Sequence, residues 1–309
     1  MSSEEADSVQ FIGQLFDRYQ RAVEEGNTED ATEALGEILA LAQQWCEEHP
    51  SPDMILNVAA GESEERADWA AAESAYQQIL SLPDLEPAIE YRAHGNLASL
   101  YRLLGRESDA LDHARRATVA TRRSELEMLL CMALQGEAGC LIESGQVAEA
   151  CEVIQEATSW LEDDSTYDQI RANTLTLRAK CAIHTNSLDE AKRDLQQAYR
   201  LLEPLAEFEF AAGARADLAH WWSVTARLRT ATNDLEEAVD AWQKAVTLSR
   251  NVAAQPHADS VHSEAAVARM LKGLADALES CGRGEQAGSA RQQEQQIVER
   301  LGLPARFPD

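Results

Sequence analysis

The chain has 309 residues, of which 27 are basic and 54 acidic, so its formal net charge is −27. A protein that binds nucleic acid or an anionic membrane surface needs an excess of Lys and Arg, so this balance argues against both. Hydrophobic residues (45%) and charged residues (26%) are in the range of a folded protein, and the few Gly (15) and Pro (8) argue against an all-β fold.

No segment predicts a membrane insertion, a secretory signal or a metal-binding cysteine motif. The longest apolar run, residues 128–134, has seven residues, whereas a helix that crosses a bilayer needs about 20. Residues 1–5 contain neither a basic region nor an apolar core. The six cysteines show no C-x-x-C spacing. We therefore expect a cytoplasmic protein with reduced cysteines.

A short pattern recurs seven times along the chain, and each copy ends at an alanine. The intervals between these alanines are 41, 38, 40, 41, 47 and 49 residues, the alanines being Ala31, Ala72, Ala110, Ala150, Ala191, Ala238 and Ala287. Five residues before the alanine, six of the seven copies have Gly or Asn, which tolerate the left-handed conformation that ends a helix. Good N-cap residues follow in four copies, at Asn27, Asp68, Ser187 and Asp234.

A second alanine precedes the first by twelve residues in six of the seven copies, and a bulky residue usually stands four residues earlier still. This i, i+4 spacing places both side chains on one face of a helix. A small residue is needed where two helices approach closely, because a larger one would push the backbones apart. Each copy therefore predicts a helix, a tight turn and a second helix.

In chain order, the copies predict seven repeats and a short C-terminal tail. They span residues 9–50, 53–88, 89–124, 127–163, 168–203, 213–252 and 260–302, and the tail is 303–309. Irregular linkers are expected near residues 203–213 and 251–263, where the intervals are longest. In a stack of such units each unit contacts only its neighbours, so residues 1–309 are predicted to form a single solenoid without one large core.

This pattern resembles the tetratricopeptide repeat (TPR) family. The third repeat matches the family at Leu97, Ala98, Tyr101, Ala110 and Ala117, and the sixth at Trp222, Ala226, Ala238, Trp242 and Ala245. The period of about 40 residues, rather than 34, points to an extended-repeat variant of the family. The resemblance implies an all-α, right-handed α–α superhelical solenoid of about seven helix-turn-helix repeats. It also implies that the first helix of each repeat, helix A, lines a concave groove that binds a peptide or a partner's helix.

The predicted groove has the opposite charge to the rest of the protein. In repeats three to seven its positions hold only two acidic residues and six basic ones, Arg92, Arg102, Lys180, Arg227, Arg269 and Lys272. We predict that these six bind acidic or C-terminal carboxylate segments, because Arg pairs with carboxylates in a bidentate way. The alternative is that they are solvated or paired with acidic neighbours. The family's carboxylate clamp is not predicted, since Gly95 and Ser99 stand where it needs Lys and Asn.

Three classes of function stay open at this point. The favoured one is a non-enzymatic interaction scaffold or adaptor for a protein or peptide partner. The second is a regulatory sensor, in which a bound peptide changes the curvature of the superhelix. The third, an enzyme built on helical repeats, is ranked lowest because no G-x-S-x-G, P-loop, G-x-G-x-x-G or H-E-x-x-H motif is present. No catalytic residue and no cofactor are predicted.

Aromatic and histidine residues add weaker signals. Trp222 occupies a packing position and is expected in the core, whereas Trp221 either packs on the previous repeat or serves as a binding anchor. His184 and His220 fall on or beside the groove, where a histidine can titrate near neutrality or lie on a polar surface. No metal site is predicted from His257 and His262, which lie five residues apart with Asp259 between them, because helical ligands need i, i+4 spacing and no third ligand is evident.

Overall fold

The computed structural model describes most of the chain after residue 50. The described ranges are residues 51–124, 126–161, 167–208, 211–255 and 260–304, with nine separate positions among the first fifty. The chain divides into two compact units, which are residues 1–55 with 207–211, and residues 56–206 with 212–309.

In the first unit, the described residues show the ion pairs of Arg18 and a helix N-cap at Asn27. Arg18 forms ion pairs with Glu33 at 2.6 Å and Glu37 at 3.2 Å. The side chain of Asn27 accepts a hydrogen bond from the backbone N–H of Asp30 at 3.3 Å, which is the N-cap contact predicted for this residue.

From Ser51 onward, the described residues form twelve helices and no strand. They follow one another as six helix-turn-helix units, which we number as repeats two to seven. The first helix of each unit is helix A and the second is helix B. The pairs are α1 (Pro52–Glu65) and α2 (Trp69–Leu80), α3 (Pro87–Leu103) and α4 (Glu107–Thr121), α5 (Glu127–Glu143) and α6 (Val147–Ser159), α7 (Asp168–His184) and α8 (Leu188–Ala206), α9 (Ala212–Ala231) and α10 (Leu235–Ala253), and α11 (Ser260–Ser280) and α12 (Gly284–Arg300).

The turns between helices A and B have one conformation in all six units. A residue with φ between 56° and 77° ends each helix A, at Ala67, Gly105, Gly145, Asn186, Asn233 and Gly282. The N–H of the following residue donates to the carbonyl five positions earlier, as from Asp68 to Ser63 at 2.8 Å, which is the Schellman arrangement. The predicted Gly or Asn helix end is therefore confirmed, and Ala67 adopts the same conformation despite its Cβ.

Besides Asn27, the predicted N-cap Asp68 is correct and the predicted N-cap Asp234 is wrong. Asp68 caps α2, because its carboxylate accepts a hydrogen bond from the backbone N–H of Ala71 at 3.1 Å. Asp234 does not cap α10; its carboxylate instead accepts hydrogen bonds from the Thr232 hydroxyl at 2.7 Å and from Arg229 at 3.4 Å. These donors within the turn replace the backbone N–H groups of the helix.

The repeated alanines form the contacts between helices. In repeats two to seven all twelve are buried, and none is more than 6% exposed; they are Ala60, Ala72, Ala98, Ala110, Ala138, Ala150, Ala179, Ala191, Ala226, Ala238, Ala275 and Ala287. From α3 to α11, each helix A also contacts the helix A of the next repeat. The helices A therefore form one continuous inner row, as an all-α solenoid requires.

Repeat seven packs against repeats two and three, at the other end of the described stack. Leu103, at the end of α3, is buried in one apolar cluster with residues of α11, α12 and the segment after α12, and Trp69 of α2 packs on the same cluster. His262 of α11 lies 3.0 Å from the carboxylate of Glu64 in α1. The expectation that each unit contacts only its neighbours is thus wrong here. The curvature of the stack brings repeat seven close to repeats two and three. Apolar side chains of repeat seven are then buried against Leu103 and Trp69.

Candidate binding cavity

A cavity of about 340 Å³ lies on the inner side of the helix A row, and we call it the inner cavity. Its lining comes from α3, α5, α7, α9, α10 and α11. Four of the six basic residues predicted for the groove line it: Arg102, Lys180, Arg227 and Arg269. The stacking of helices A thus brings together cations that are far apart in the sequence.

One of these cations is neutralised by a carboxylate of the cavity wall. The Nε of Arg102 donates a hydrogen bond to Oε2 of Glu143 at 2.7 Å, and its Nη2 contacts the other carboxylate oxygen, so the pair is bidentate. Burial alone would raise the pKa of Glu143, but the Arg102 guanidinium outweighs this effect and keeps the pKa below its ordinary value. Glu143 is therefore ionised at neutral pH, and its side chain is only 8% exposed.

Lys180 is the most unusual side chain of the inner cavity. It is only 8% exposed, and no hydrogen bond or ion pair joins its ammonium to any residue in the described ranges. Burial lowers the pKa of Lys180 to about 8; Glu143 opposes this shift, whereas Arg227, Arg102 and Arg269 add to it. At neutral pH the protein therefore holds a charged ammonium in a largely dehydrated site.

The two remaining cations have different surroundings. The guanidinium of Arg227 lies 5.7 Å from the centre of the Trp242 ring, and it makes no ion pair within the described chain. Burial and the neighbouring Arg102 lower the pKa of Arg269 to about 10, and Glu143 opposes them. Arg269 therefore stays charged at pH 7, and the lining holds more basic than acidic side chains.

Two titratable residues of α9, His220 and Asp217, line the inner cavity and have shifted pKa values. Burial, and then Lys180 and Arg269, lower the pKa of His220 to about 3, so its imidazole is neutral at pH 7. Of the two alternatives given for His220, titration near neutrality is therefore wrong, and the side chain lines the inner cavity rather than an open polar surface. Burial raises the pKa of Asp217, whose carboxylate accepts a hydrogen bond from the Gln169 amide at 2.7 Å.

A second cavity of about 270 Å³ lies between α3, α4 and α5, and we call it the α3–α5 cleft. Its lining includes Tyr91, Met132 and the predicted groove residue Arg92. Arg102 lines both the cleft and the inner cavity. Lys272, the sixth predicted residue, lies half-buried on α11 and lines neither of these two cavities.

No protein-family model matches the sequence, and a search of curated proteins finds no match either. Among solved structures, the chain is similar to a Rap protein in complex with Competence and Sporulation Factor, with 13% identity and a TM-score of 0.62; the match covers 95% of this chain and 78% of that one. It is also similar to the Rap conjugation gene regulator of plasmid pLS20 in complex with the Phr* peptide, with 14% identity, a TM-score of 0.52, and coverage of 94% and 96%. The chain has a tetratricopeptide-like fold.

Within this TPR-like solenoid, the two adjacent tryptophans are packing residues. Trp221 is 8% exposed, and its Nε1 donates a hydrogen bond to the backbone carbonyl of Leu195 in the previous repeat at 2.8 Å. Trp222 is half-buried, and the ammonium of Lys244 lies 4.1 Å from its ring centre. Of the two roles left open for Trp221, packing on the previous repeat is therefore correct.

The remaining sequence expectations concern metals, membranes and His184. The described part of the TPR-like solenoid contains no group of three His, Cys, Asp or Glu residues that could hold a metal ion. His257 and Asp259 lie outside the described residues, and His262 contacts Glu64. Among the helices that the structure describes, none is long and apolar enough to cross a membrane. Burial, Lys180 and Arg227 lower the pKa of His184.

Proposed function

We propose that this protein is a non-enzymatic adaptor that binds a peptide, or a peptide-like segment of a partner protein, in the inner cavity. The observation that carries this proposal is the buried ammonium of Lys180, which makes no direct ion pair in the described ranges, since the nearby carboxylate of Glu143 is bound to Arg102. A buried charge without a counter-charge is unfavourable, and a carboxylate of a ligand would supply one.

The charge of the cavity favours an acidic ligand. Its lining has four cations and two acidic residues, Glu143 and Asp217; Glu143 pairs with Arg102, and Lys180 and Arg227 make no ion pair in the described ranges. The protein as a whole carries a formal charge of −27. A cleft in which one sign of charge prevails attracts ligands of the opposite sign more strongly than an open surface does. The ligand would therefore be an acidic segment or a C-terminal carboxylate, and Arg92 and Lys272 would extend the positive surface around it.

The structural neighbours are consistent with a peptide ligand. One of them, the Rap conjugation gene regulator of pLS20, was solved in complex with the Phr* peptide, and its fold covers nearly the whole of this chain. At 14% identity this likeness concerns the fold, so the chemistry of the site has to come from the residues of the inner cavity itself.

A second candidate function is a peptide-responsive regulatory sensor. It is favoured by the contact between repeat seven and repeats two and three, through Trp69, Leu103 and the Glu64–His262 pair. The helix α11 contributes both to this contact and to the wall of the inner cavity. A ligand that displaces α11 would therefore change the contact between repeat seven and repeats two and three. The curvature of the superhelix, and the surface that it presents to a partner protein, would change with it.

The test uses a mixture of synthetic random octapeptides with free C-termini as the probe. Purified protein is incubated with the mixture, and retained peptides are measured by mass spectrometry for the wild type and for Lys180→Met. The matched control is Lys244→Met, which removes an exposed ammonium outside the cavity. We expect the wild type and the control to retain the same peptides and Lys180→Met to lose them. Equal retention by all three proteins, or no retention by any, would contradict the proposal.

A further inference from the structure

Two cysteines from neighbouring repeats meet at a cavity that the proposed function does not use. Cys151 lies on α6 of repeat four, and Cys181 lies on α7 of repeat five. Both are free cysteines, and their side chains are hydrogen-bonded to each other. Both also line a cavity of about 540 Å³, which we call the α6–α7 cavity. The stacking of two repeats therefore places two thiols in contact beside an open space.

The α6–α7 cavity gives small molecules access to this pair from solvent. Its lining includes the exposed residues Gln155, Thr185 and Glu190, so it opens at the protein surface. Its volume lies within the range of small-molecule sites, roughly 300–1,000 Å³. A reagent of a few atoms can therefore reach the thiols without a separation of the helices.

The two thiols differ in accessibility and in acidity. Cys181 is 2% exposed in a buried apolar cluster, and Cys151 is half-buried and packs against the same cluster. Burial, and then the neighbouring Cys151, raise the pKa of Cys181 to about 12, whereas Lys180 opposes this shift. Cys181 is therefore a neutral thiol at pH 7 and a weak nucleophile. A reagent in the cavity meets the sulfur of Cys151 first.

Other described cysteines have different surroundings. The thiol of Cys131 donates a hydrogen bond to the backbone carbonyl of Ala157 at 3.7 Å. Cys140 is buried, and its pKa is raised to about 11 by burial, against the effect of Arg102. Cys281 is half-buried, as Cys151 is, and burial raises its pKa. The contact with a second thiol is therefore what distinguishes Cys151 from a cysteine of similar exposure.

We propose that Cys151 and Cys181 form a reversible dithiol–disulfide site that is oxidised by peroxides. The peroxide transfers one oxygen atom to the sulfur of Cys151, which becomes a sulfenic acid, and the rest of the peroxide leaves as an alcohol or, from hydrogen peroxide, as water. The sulfur of Cys181 then attacks the sulfur of Cys151. The S–S bond forms, the S–O bond breaks, and the proton of Cys181 leaves with the hydroxyl group as water. Exchange with a small dithiol restores both thiols.

This disulfide would join repeats four and five covalently through α6 and α7. A repeat stack adjusts its shape by small rotations between neighbouring repeats, and a cross-link at this contact restricts that rotation. A bond between side chains that already meet requires little movement of the backbone. Oxidation should therefore raise the melting temperature by roughly 5–10 °C, because the cross-link restricts the unfolded chain. The inference does not depend on the proposed function.

The experiment treats the reduced full chain with hydrogen peroxide and then alkylates the remaining thiols with iodoacetamide. Intact mass and non-reducing peptide mapping locate any disulfide, and a second set of samples contains dimedone, which traps sulfenic acids. The wild type is compared with Cys151→Ser, Cys181→Ser and the control Cys281→Ser, which removes another half-buried cysteine. The wild type is also oxidised while unfolded in urea. Melting temperatures establish that each variant folds.

We expect the folded wild type and Cys281→Ser to lose two alkylatable thiols and to give one cross-linked peptide, between residues 151 and 181. Dithiothreitol should restore both thiols. Cys181→Ser should stop at the sulfenic acid and carry dimedone on Cys151. Cys151→Ser should give no cross-link, and its Cys181 should take up at least about tenfold less dimedone, as a buried thiol of raised pKa predicts. In urea the preference for this pair should disappear.

The folded wild type decides the inference by itself, even where a cysteine variant does not fold. Failure of peroxide to form the cross-link between residues 151 and 181, or a cross-link that forms equally well in urea, would overturn it. A lower melting temperature of the oxidised protein would refute the close approach of the two thiols. Equal dimedone labelling of Cys151 and Cys181 would refute the order of the two steps. Loss of peptide binding in the test of the proposed function leaves this inference standing.

Discussion

Replacing Lys180 with methionine should stabilise the protein, although it removes a residue central to the proposed binding site. The pKa of this ammonium is lowered from its ordinary value of 10.5 to about 8, chiefly by burial. A difference of about 2.5 pH units corresponds to about 3 kcal/mol, at 1.36 kcal/mol for each unit. The folded state bears this cost whenever Lys180 is protonated, which includes neutral pH. Methionine has a similar length and no charge, so it avoids the cost.

The pH dependence gives the sharper measurement. Between pH 8 and 10.5 the unfolded chain keeps the proton on Lys180 while the folded chain releases it, so stability rises with pH over this range. Below pH 8 both states bind the proton and the cost is constant. Other groups titrate above pH 8 as well, but they are common to the wild type and the variant. The difference in melting temperature between the two proteins therefore isolates Lys180.

Thermal unfolding of the wild type, Lys180→Met and the exposed control Lys244→Met should be followed from pH 6 to 10. At pH 7 we expect Lys180→Met to melt roughly 6–10 °C above the wild type, as about 3 kcal/mol predicts for a unit of this size. This advantage should shrink as the pH rises above 8. A Lys180→Met protein that melts with the wild type, or a difference that is the same at pH 7 and pH 10, would show that the ammonium is well solvated.

Three further predictions test the packing of the repeats by thermal and chemical unfolding. Ala67→Gly should stabilise the protein by about 1 kcal/mol, because φ is 56° at this alanine and glycine adopts that conformation without strain; a loss of stability would contradict the turn geometry. Ala138→Leu should cost about 1–3 kcal/mol, since Ala138 is fully buried, and unchanged stability would be evidence against its place between helices. Gly273→Ala should cost a similar amount, because its Cβ would lie 2.4 Å from the Trp242 ring. An unshifted tryptophan emission spectrum in this last variant would count against that contact.

The features that could be predicted from the sequence are those repeated in every unit. Each tight turn needs a residue that tolerates positive φ, and each helix contact needs a small side chain, so the same residue types recur at a fixed spacing. Asp234 shows the limit of this reasoning, because Thr232 and Arg229 lie close enough to hold its carboxylate. N-cap propensity identifies Asp as a good capping residue, but it does not account for other hydrogen-bond donors in the same turn that compete for the carboxylate.

The contact between repeat seven and repeats two and three could not be predicted in this way. It depends on the rotation between units summed over the whole stack, which no single repeat specifies. Leu103 and Trp69 are ordinary apolar residues in the sequence, and their common role becomes visible only when α11 lies beside them. Glu143 escaped prediction for a local reason: it is one residue beyond the last groove position of its helix, at the end of α5.

The charges of the inner cavity affect the contact between repeat seven and repeats two and three. Arg102, Lys180, Arg227 and Arg269 repel one another in the absence of an anion, and Glu143 pairs with Arg102. Arg269 belongs to α11, the helix that also packs on Leu103. This repulsion therefore opposes the contact between repeat seven and repeats two and three. A bound carboxylate reverses the sign of that interaction. Ligand binding should therefore strengthen the contact between repeat seven and the beginning of the stack, because an anion attracts the cations on both sides of the cavity at once.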